Sequence, residues 1–209
     1  KNAPPLANDP WGRSSIDGFI LRKIRESNQT PAPEAPKHLW LRRVTFDLTG
    51  LPPTPKEIKE FLADDSSKSY ARVLDRLLSS RHYGERWASH WLDGVRYVEE
   101  VGYYNFTDLG WRYRDWVIRA LNNDMPYDQF VRWQVAGDEI APNDPLALSA
   151  TGFLGAGVFP TQLTEKEFES ARYDELDDMA NTTGMAFLAL TIGCARCHDH
   201  KFDPIATKD

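Results

Sequence analysis

The chain has 209 residues, of which 41% are hydrophobic and 27% are charged, as in a globular protein of one large or two small domains. Its net charge of −6 provides no basic surface for nucleic acid. Because the sequence contains no run of about 18 apolar residues, we also predict no membrane span.

The N-terminal elements are predicted as an extended arm followed by short helices. Residues 1–13 are rich in proline and asparagine and form the arm. Ser14 or Ser15 then caps a first helix, in which apolar residues recur at spacings of three and four. A second helix covers 37–48. The third begins at Thr54–Glu57, a capping box with proline at the first helical position.

The rest of the chain continues with helical periodicity. The further predicted helices cover 70–78, 83–101, 111–122, 126–135 and about 164–189. No stretch alternates polar and apolar residues with a period of two, so strands are not predicted. We therefore predict an all-α, multi-helix domain over 14–209, with no internal repeat.

Cys194-Ala195-Arg196-Cys197-His198 contains both cysteines of the chain. This spacing is the attachment signature of c-type haem, with a thioether at each thiol and His198 as the proximal iron ligand. Structural zinc is a poorer interpretation, because Cys194, Cys197, His198 and His200 are crowded together without a second, distant pair. A redox dithiol would be expected in a βαβ setting. We predict one covalently attached haem c.

The distal face of the iron must be supplied by upstream residues. Only residues 199–209 follow His198, and they contain no methionine. The motif thus lies at the C-terminal end, unlike that of small cytochromes c. The candidates are His90, Met179 and Met185, or no protein ligand at all. His200 is too close to His198 to reach across the ring, and we expect it at a propionate or in solvent.

Haem attachment of this type takes place outside the cytoplasm in bacteria, so the motif predicts an exported, periplasmic or otherwise extracytoplasmic protein. A signal peptide, removed from this sequence, is expected. The acidic segment 165–178 is expected to be a solvated helix face or a docking surface for a cationic redox partner.

Several segments together resemble the planctomycete-type c cytochrome domain family. They include 16–20, 41–55, 83–87, 90–93, 112–118, 126–128, 136–138 and, most specifically, 193–205. The resemblance implies an exported single-haem domain that a second planctomycete-specific domain follows in the same polypeptide. It also implies a redox role connected with carbohydrate metabolism.

Three functions are compatible with these observations. The first is electron transfer through the haem to a redox partner protein. The second is a haem-dependent oxidoreductase with an open or exchangeable distal site, acting on a sugar, peroxide or small molecule. In that case His90, Arg96 and Tyr97 are the candidate catalytic residues. The third is a non-catalytic module that binds a partner or glycan and uses haem as a covalent staple.

Overall fold

A computed structural model of the chain describes residues 11–98, 100–101, 105–106, 110–157 and 163–208. The chain divides into two compact units between Trp40 and Leu41. Residues 1–10 of the arm predicted for 1–13 lie outside the described residues. The single domain predicted for 14–209 stays a prediction.

The first helix, α1 (Ser15–Glu26), begins at a polar cap. The backbone N–H groups of Arg13 and Ser14 each donate to Oδ2 of Asp17 at 2.8 Å. These two hydrogen bonds lower the pKa of the Asp17 carboxyl. A carboxylate that satisfies free N–H groups in the first turn stabilises a helix start. The predicted cap at Ser14 is confirmed.

The next two helices have the start and stop signals that the sequence indicates. The second, α2 (Lys37–Thr49), ends at Gly50, whose φ of 70° lies in the left-handed region that favours glycine. At the start of α3 (Pro55–Ala63), the N–H of Thr54 donates to Oε2 of Glu57 at 2.7 Å. The N–H of Glu57 donates back to Oγ1 of Thr54 at 3.3 Å. The predicted capping box is confirmed.

The other described α-helices are α4 (Ser69–Leu78), α5 (Arg81–Gly94), α6 (Gly110–Asn122), α7 (Tyr127–Ile140), α8 (Pro145–Ala150) and α9 (Phe168–Thr183). Short 3-10 helices cover Thr151–Phe153 and Ile192–Arg196, and a π-helix covers Gly184–Leu188. The all-α class is confirmed. In addition, β1 (Glu100–Val101) pairs antiparallel with β2 (Asn105–Phe106), which the sequence pattern did not indicate. None of the described helices is both long and apolar enough to cross a bilayer.

Two of the predicted helices are too long. The helix predicted over 83–101 ends at Gly94, and Arg96 then adopts a φ of 58° that a right-handed helix does not allow. The helix predicted over 164–189 starts at Phe168 and changes to the π-helix after Thr183. The short helix α8 was missed, because six residues are too few to show a period.

The core of the larger unit is built where α5 packs against α6. A Cβ at Gly84 would lie 2.5 Å from the carbonyl oxygen of Ile118, so this approach of the two backbones requires glycine. The N–H of Gly84 also donates to Oδ1 of Asn122 at 2.8 Å. The buried side chains of this core include Ala88, Val95, Trp116, Val117, Phe130 and Phe153.

A buried polar network connects α5, α6 and α7 within this core. The Tyr113 hydroxyl donates to Oε1 of Gln134 at 2.7 Å. Nε1 of Trp91 lies 2.9 Å from the Tyr113 hydroxyl and 3.0 Å from Oε1 of Gln134. Burial raises the pKa of Tyr113. Because every member has a partner, the network is compatible with an otherwise apolar core.

Candidate functional site

The Cys-x-x-Cys-His segment lies on a 3-10 helix and the turn after it. Cys194 is within the helix Ile192–Arg196, and Cys197 and His198 follow its end directly. Both cysteines are free thiols and both are exposed. His198 is exposed as well. All three predicted haem-binding side chains are therefore accessible from solvent.

The hydrogen bond of His198 determines which ring nitrogen is open. Nδ1 of His198 lies 2.8 Å from the backbone carbonyl oxygen of Asp199. A carbonyl oxygen only accepts, so in the neutral imidazole Nδ1 carries the proton and Nε2 keeps its lone pair. Nε2 has no hydrogen-bond partner among the described residues. This arrangement is typical of a metal-ligating histidine.

The carbonyl that orients His198 belongs to a loop with its own hydrogen bonds. The backbone N–H of Thr207 donates to Oδ1 of Asp199 at 2.9 Å, and the Thr207 hydroxyl lies 3.3 Å from the same oxygen. The N–H of His200 donates to the carbonyl oxygen of Ile205 at 2.8 Å. These bonds limit the freedom of the backbone that orients the imidazole.

His200 stabilises the loop from within. Its side chain is only 7% exposed. Nδ1 accepts from the backbone N–H of Asp203 at 2.9 Å, and Nε2 lies 3.2 Å from Oγ1 of Thr191. The expectation that His200 reaches solvent is wrong, because both ring nitrogens have partners inside the protein. The two histidines of the segment thus differ, since His198 has an open nitrogen and His200 has none.

The segment is fastened to α9 by two sets of contacts. Nη2 of Arg196 lies 2.5 Å from Oδ1 of Asp174, and Nη1 lies 3.2 Å from Oδ2 of Asp177. On the other side of Cys194, the N–H of Gly193 donates to Oδ1 of Asn181 at 3.0 Å. Cys194 therefore lies between two anchored residues.

This donor set fits covalent haem better than structural zinc. Zinc requires four ligands in such a site, and His200 cannot provide one without losing a partner. In the part of the chain that the structure describes, no group of three or more His, Cys, Asp or Glu side chains could hold a metal ion. Two accessible thiols beside an imidazole with a free Nε2 are what c-type haem uses.

Two of the predicted distal candidates lie at one cleft. His90 on α5 and Met185 on the π-helix line a cleft of about 230 Å³. The π-helix also packs against the segment, since a Cβ at Gly184 would lie 2.8 Å from Cγ1 of Ile192. Met179 is half-buried on α9. The structure therefore brings His90 and Met185 to one cleft, and Met179 is not among the residues that line it.

The three candidate catalytic residues do not line one cavity. Tyr97 lines a cavity of about 480 Å³, whereas His90 also lines an aromatic cleft of about 340 Å³ between α5, α6 and α7. Nη1 of Arg96 lies 2.5 Å from Oδ1 of Asp178. Its Nε and Nη2 are buried without a hydrogen-bond partner among the described residues. Among these three residues, no shared acid–base cluster is formed.

Sequence reasoning missed the residues on α9 that hold the segment. Asp174 and Asp177 were expected in a solvated or docking surface, but both bind Arg196. Their spacing of three residues on a helix places them on one face. That spacing, together with an arginine inside the motif, was the available signal. Nothing in the local pattern indicated Asn181.

The family model described as PSCyt2, a protein of unknown function (DUF1549), matches residues 15–209. The chain belongs to this family, which confirms the resemblance at the level of a planctomycete-type, cytochrome-associated domain. The family description assigns no cofactor. Neither a curated protein nor a solved structure matches the chain.

Proposed function

We propose that this chain binds one haem c through Cys194 and Cys197, with Nε2 of His198 as an axial ligand, and that it transfers electrons. The observation that carries the proposal is the hydrogen bond from Nδ1 of His198 to the carbonyl of Asp199. It leaves Nε2 open beside two exposed thiols. The bound haem supplies a one-electron iron couple whose potential the protein environment sets.

The residues around the segment would position these three groups. The Asp199 carbonyl orients the imidazole and increases its basicity as a ligand. Arg196 holds the turn between the two thiols against Asp174 and Asp177. His200 keeps the following loop compact by bonding through both nitrogens. Such prior order reduces the rearrangement needed when the cofactor is attached.

A ligand from the cleft of His90 and Met185 is proposed for the distal side. Both side chains line this cleft, and its π-helix packs on the 3-10 helix of the segment. A methionine ligand would give a higher reduction potential than a second histidine. Electron transfer is preferred to catalysis because His90, Arg96 and Tyr97 do not gather around one cavity.

The same proposal includes an extracytoplasmic location, a redox partner protein and a link to carbohydrate metabolism. Their support is the attachment chemistry and the family. The acidic residues of α9 are in part engaged internally, because Asp174, Asp177 and Asp178 form ion pairs with arginines. The surface available to a cationic partner is correspondingly smaller than the sequence indicates.

Haem attachment is tested by exporting the chain in a bacterium that matures c-type cytochromes. We expect the mass of the polypeptide plus one haem and a Soret band that survives denaturation. Cys197→Ser should leave at most one thioether, and His198→Ala should change the axial ligation. His38→Ala, at an exposed site on α2, is the control. A bare polypeptide with two alkylatable thiols, from a host that matures a known cytochrome c, would overturn the proposal.

The distal side is tested by absorption spectra of the ferric and ferrous forms, with and without carbon monoxide. Low-spin iron that does not bind carbon monoxide is the expected result. His90→Ala and Met185→Leu should be compared, because only the variant that removes the ligand changes the spin state. High-spin iron that binds carbon monoxide readily in the unaltered chain would instead support the oxidoreductase.

A further inference from the structure

The aromatic cleft between α5, α6 and α7 has the form of a ligand site. Its volume is about 340 Å³, within the range of small-molecule sites. The lining residues used below are Tyr83, Trp87, His90, Asp124, Tyr127 and Phe130. None of them belongs to the Cys-x-x-Cys-His segment, and His90 is the one that also lines the cleft of the distal candidates.

The walls of this cleft are aromatic rings, two of which remain open to solvent. The Trp87 ring centroid lies 6.1 Å from that of Tyr83 and 5.7 Å from that of His90. On α7, the rings of Tyr127 and Phe130 are stacked with centroids 6.5 Å apart. Trp87 is 41% exposed and Tyr127 is 63% exposed. Clustered aromatic surface of this kind marks a binding site more often than isolated exposed residues do.

Asp124 provides the charge at this cleft, and it occupies an unusual backbone position. The N–H of Asp124 bonds the carbonyl of Leu121 at 3.2 Å, and that of Met125 bonds the carbonyl of Ala120 at 3.0 Å. This is the Schellman arrangement that closes α6, with Asp124 at the left-handed position. Its φ is 48°. Glycine is the usual residue at such a position, and asparagine and aspartate also tolerate it.

A carboxylate is unfavourable there for an electrostatic reason. The C-terminal end of a helix carries partial negative charge, so an acidic side chain at that end is repelled. Asp124 has no ion-pair partner in the described part of the chain. The Asp124 side chain is exposed at the cleft, so its carboxylate is available to a cationic ligand.

Three electrostatic features of the cleft have the same sign. The Asp124 carboxylate, the carbonyl end of α6 and the faces of the aromatic rings are negative. The lining contains no lysine and no arginine. We propose that this cleft binds an organic cation of the quaternary ammonium class. Tyr83, Trp87 and Tyr127 provide the ring faces, and Asp124 provides the counter-charge.

A neutral sugar is the weaker alternative for this lining. Sugar hydroxyls require several well-placed donors and acceptors, whereas the polar groups here are Asp124, His90 and the tyrosine hydroxyls. A quaternary ammonium group has no hydrogen bonds to satisfy, and its methyl groups pack directly on ring faces. The cleft therefore matches the cation in both polarity and charge.

The test is calorimetric titration of the whole chain with choline and with its neutral isostere 3,3-dimethylbutan-1-ol. We expect saturable choline binding and at least about tenfold weaker binding of the isostere, since only the cation gains from ring faces and carboxylate. Trp87→Leu and Asp124→Asn should each weaken choline binding about tenfold. Asparagine tolerates a positive φ, so the second variant keeps the helix end intact.

Matched controls remove a tryptophan and a carboxylate that do not line the cleft. Trp111→Leu removes an exposed tryptophan at the start of α6, and Asp138→Asn removes an exposed carboxylate on α7. Both should bind choline as the unaltered chain does. The proposal would be overturned if the isostere bound with equal affinity or if Asp124→Asn bound choline unchanged. It would also be overturned if neither choline nor tetramethylammonium bound saturably, or if glucose bound saturably in place of choline.

Discussion

Nη2 of Arg196 lies 2.5 Å from Oδ1 of Asp174, which connects the middle of the Cys-x-x-Cys-His segment to the first half of α9. Asp177 contacts the same guanidinium at 3.2 Å. These side chains are 33–63% exposed, so their ion pairs contribute little to global stability. Their effect is local. They hold the backbone between the two thiols in one conformation.

The first prediction follows from this local role. Asp174→Asn combined with Asp177→Asn should leave the thermal unfolding midpoint unchanged, because exposed pairs are screened by solvent. Hydrogen exchange of the backbone amides in 192–197 should become about tenfold faster, because the segment opens more often. Exchange is measured by mass spectrometry. Glu175→Gln, on the same helix, is the control and should leave these amides unaffected. Unchanged exchange in the double variant would show that Arg196 does not restrain the segment.

Alanine substitution should affect the free energy of unfolding differently at the two histidines of the segment. His200→Ala removes the partners of Thr191 and of the Asp203 N–H, so we expect a loss of about 1–3 kcal/mol in the free energy of unfolding. His198→Ala removes an exposed ring and should change this free energy little, although the ring is the proposed axial ligand. Urea denaturation of the haem-free chain measures both. Similar losses in the two variants would contradict this assignment.

Local signals were sufficient to predict where α1 and α3 begin. The capping residues Ser14 and Thr54 act on neighbours three or four positions away, so their effect is visible in the sequence. The end of α5 depends on the backbone of Arg96. The guanidinium of this residue binds Asp178, which is far along the chain. The ion pairs of Arg196 with Asp174 and Asp177 likewise join distant helices, and so does the cleft at Asp124. Such contacts form only on folding, and a single sequence does not reveal them.

A pair of glycines on α5 tests the packing of α5 against α6. Gly84→Ala would place a Cβ 2.5 Å from the carbonyl oxygen of Ile118, and the helices must separate to accommodate it. We expect a loss of about 1–3 kcal/mol in the free energy of unfolding. Gly94→Ala, whose Cβ would meet no atom within 4 Å, should be neutral or slightly stabilising. Chemical denaturation distinguishes the two. Equal effects would show that the close approach at Gly84 is not maintained in solution.

The free energy of unfolding at acid pH should depend on Asp64, which links the end of α3 to α4. Hydrogen bonds from the Arg72 guanidinium, then from the hydroxyl and N–H of Ser66, lower the pKa of the Asp64 carboxyl from 3.8 to about 2. Because the folded chain has the lower pKa, this stabilisation is fully present above about pH 4 and is lost as the pH falls toward 2. The difference in free energy of unfolding between the unaltered chain and Asp64→Asn should therefore shrink over that interval. Urea denaturation between pH 5 and 2 measures it, with Asp138→Asn as the control for removal of an exposed charge. A difference that stays constant with pH would show that the Arg72 contact does not hold the carboxylate ionised.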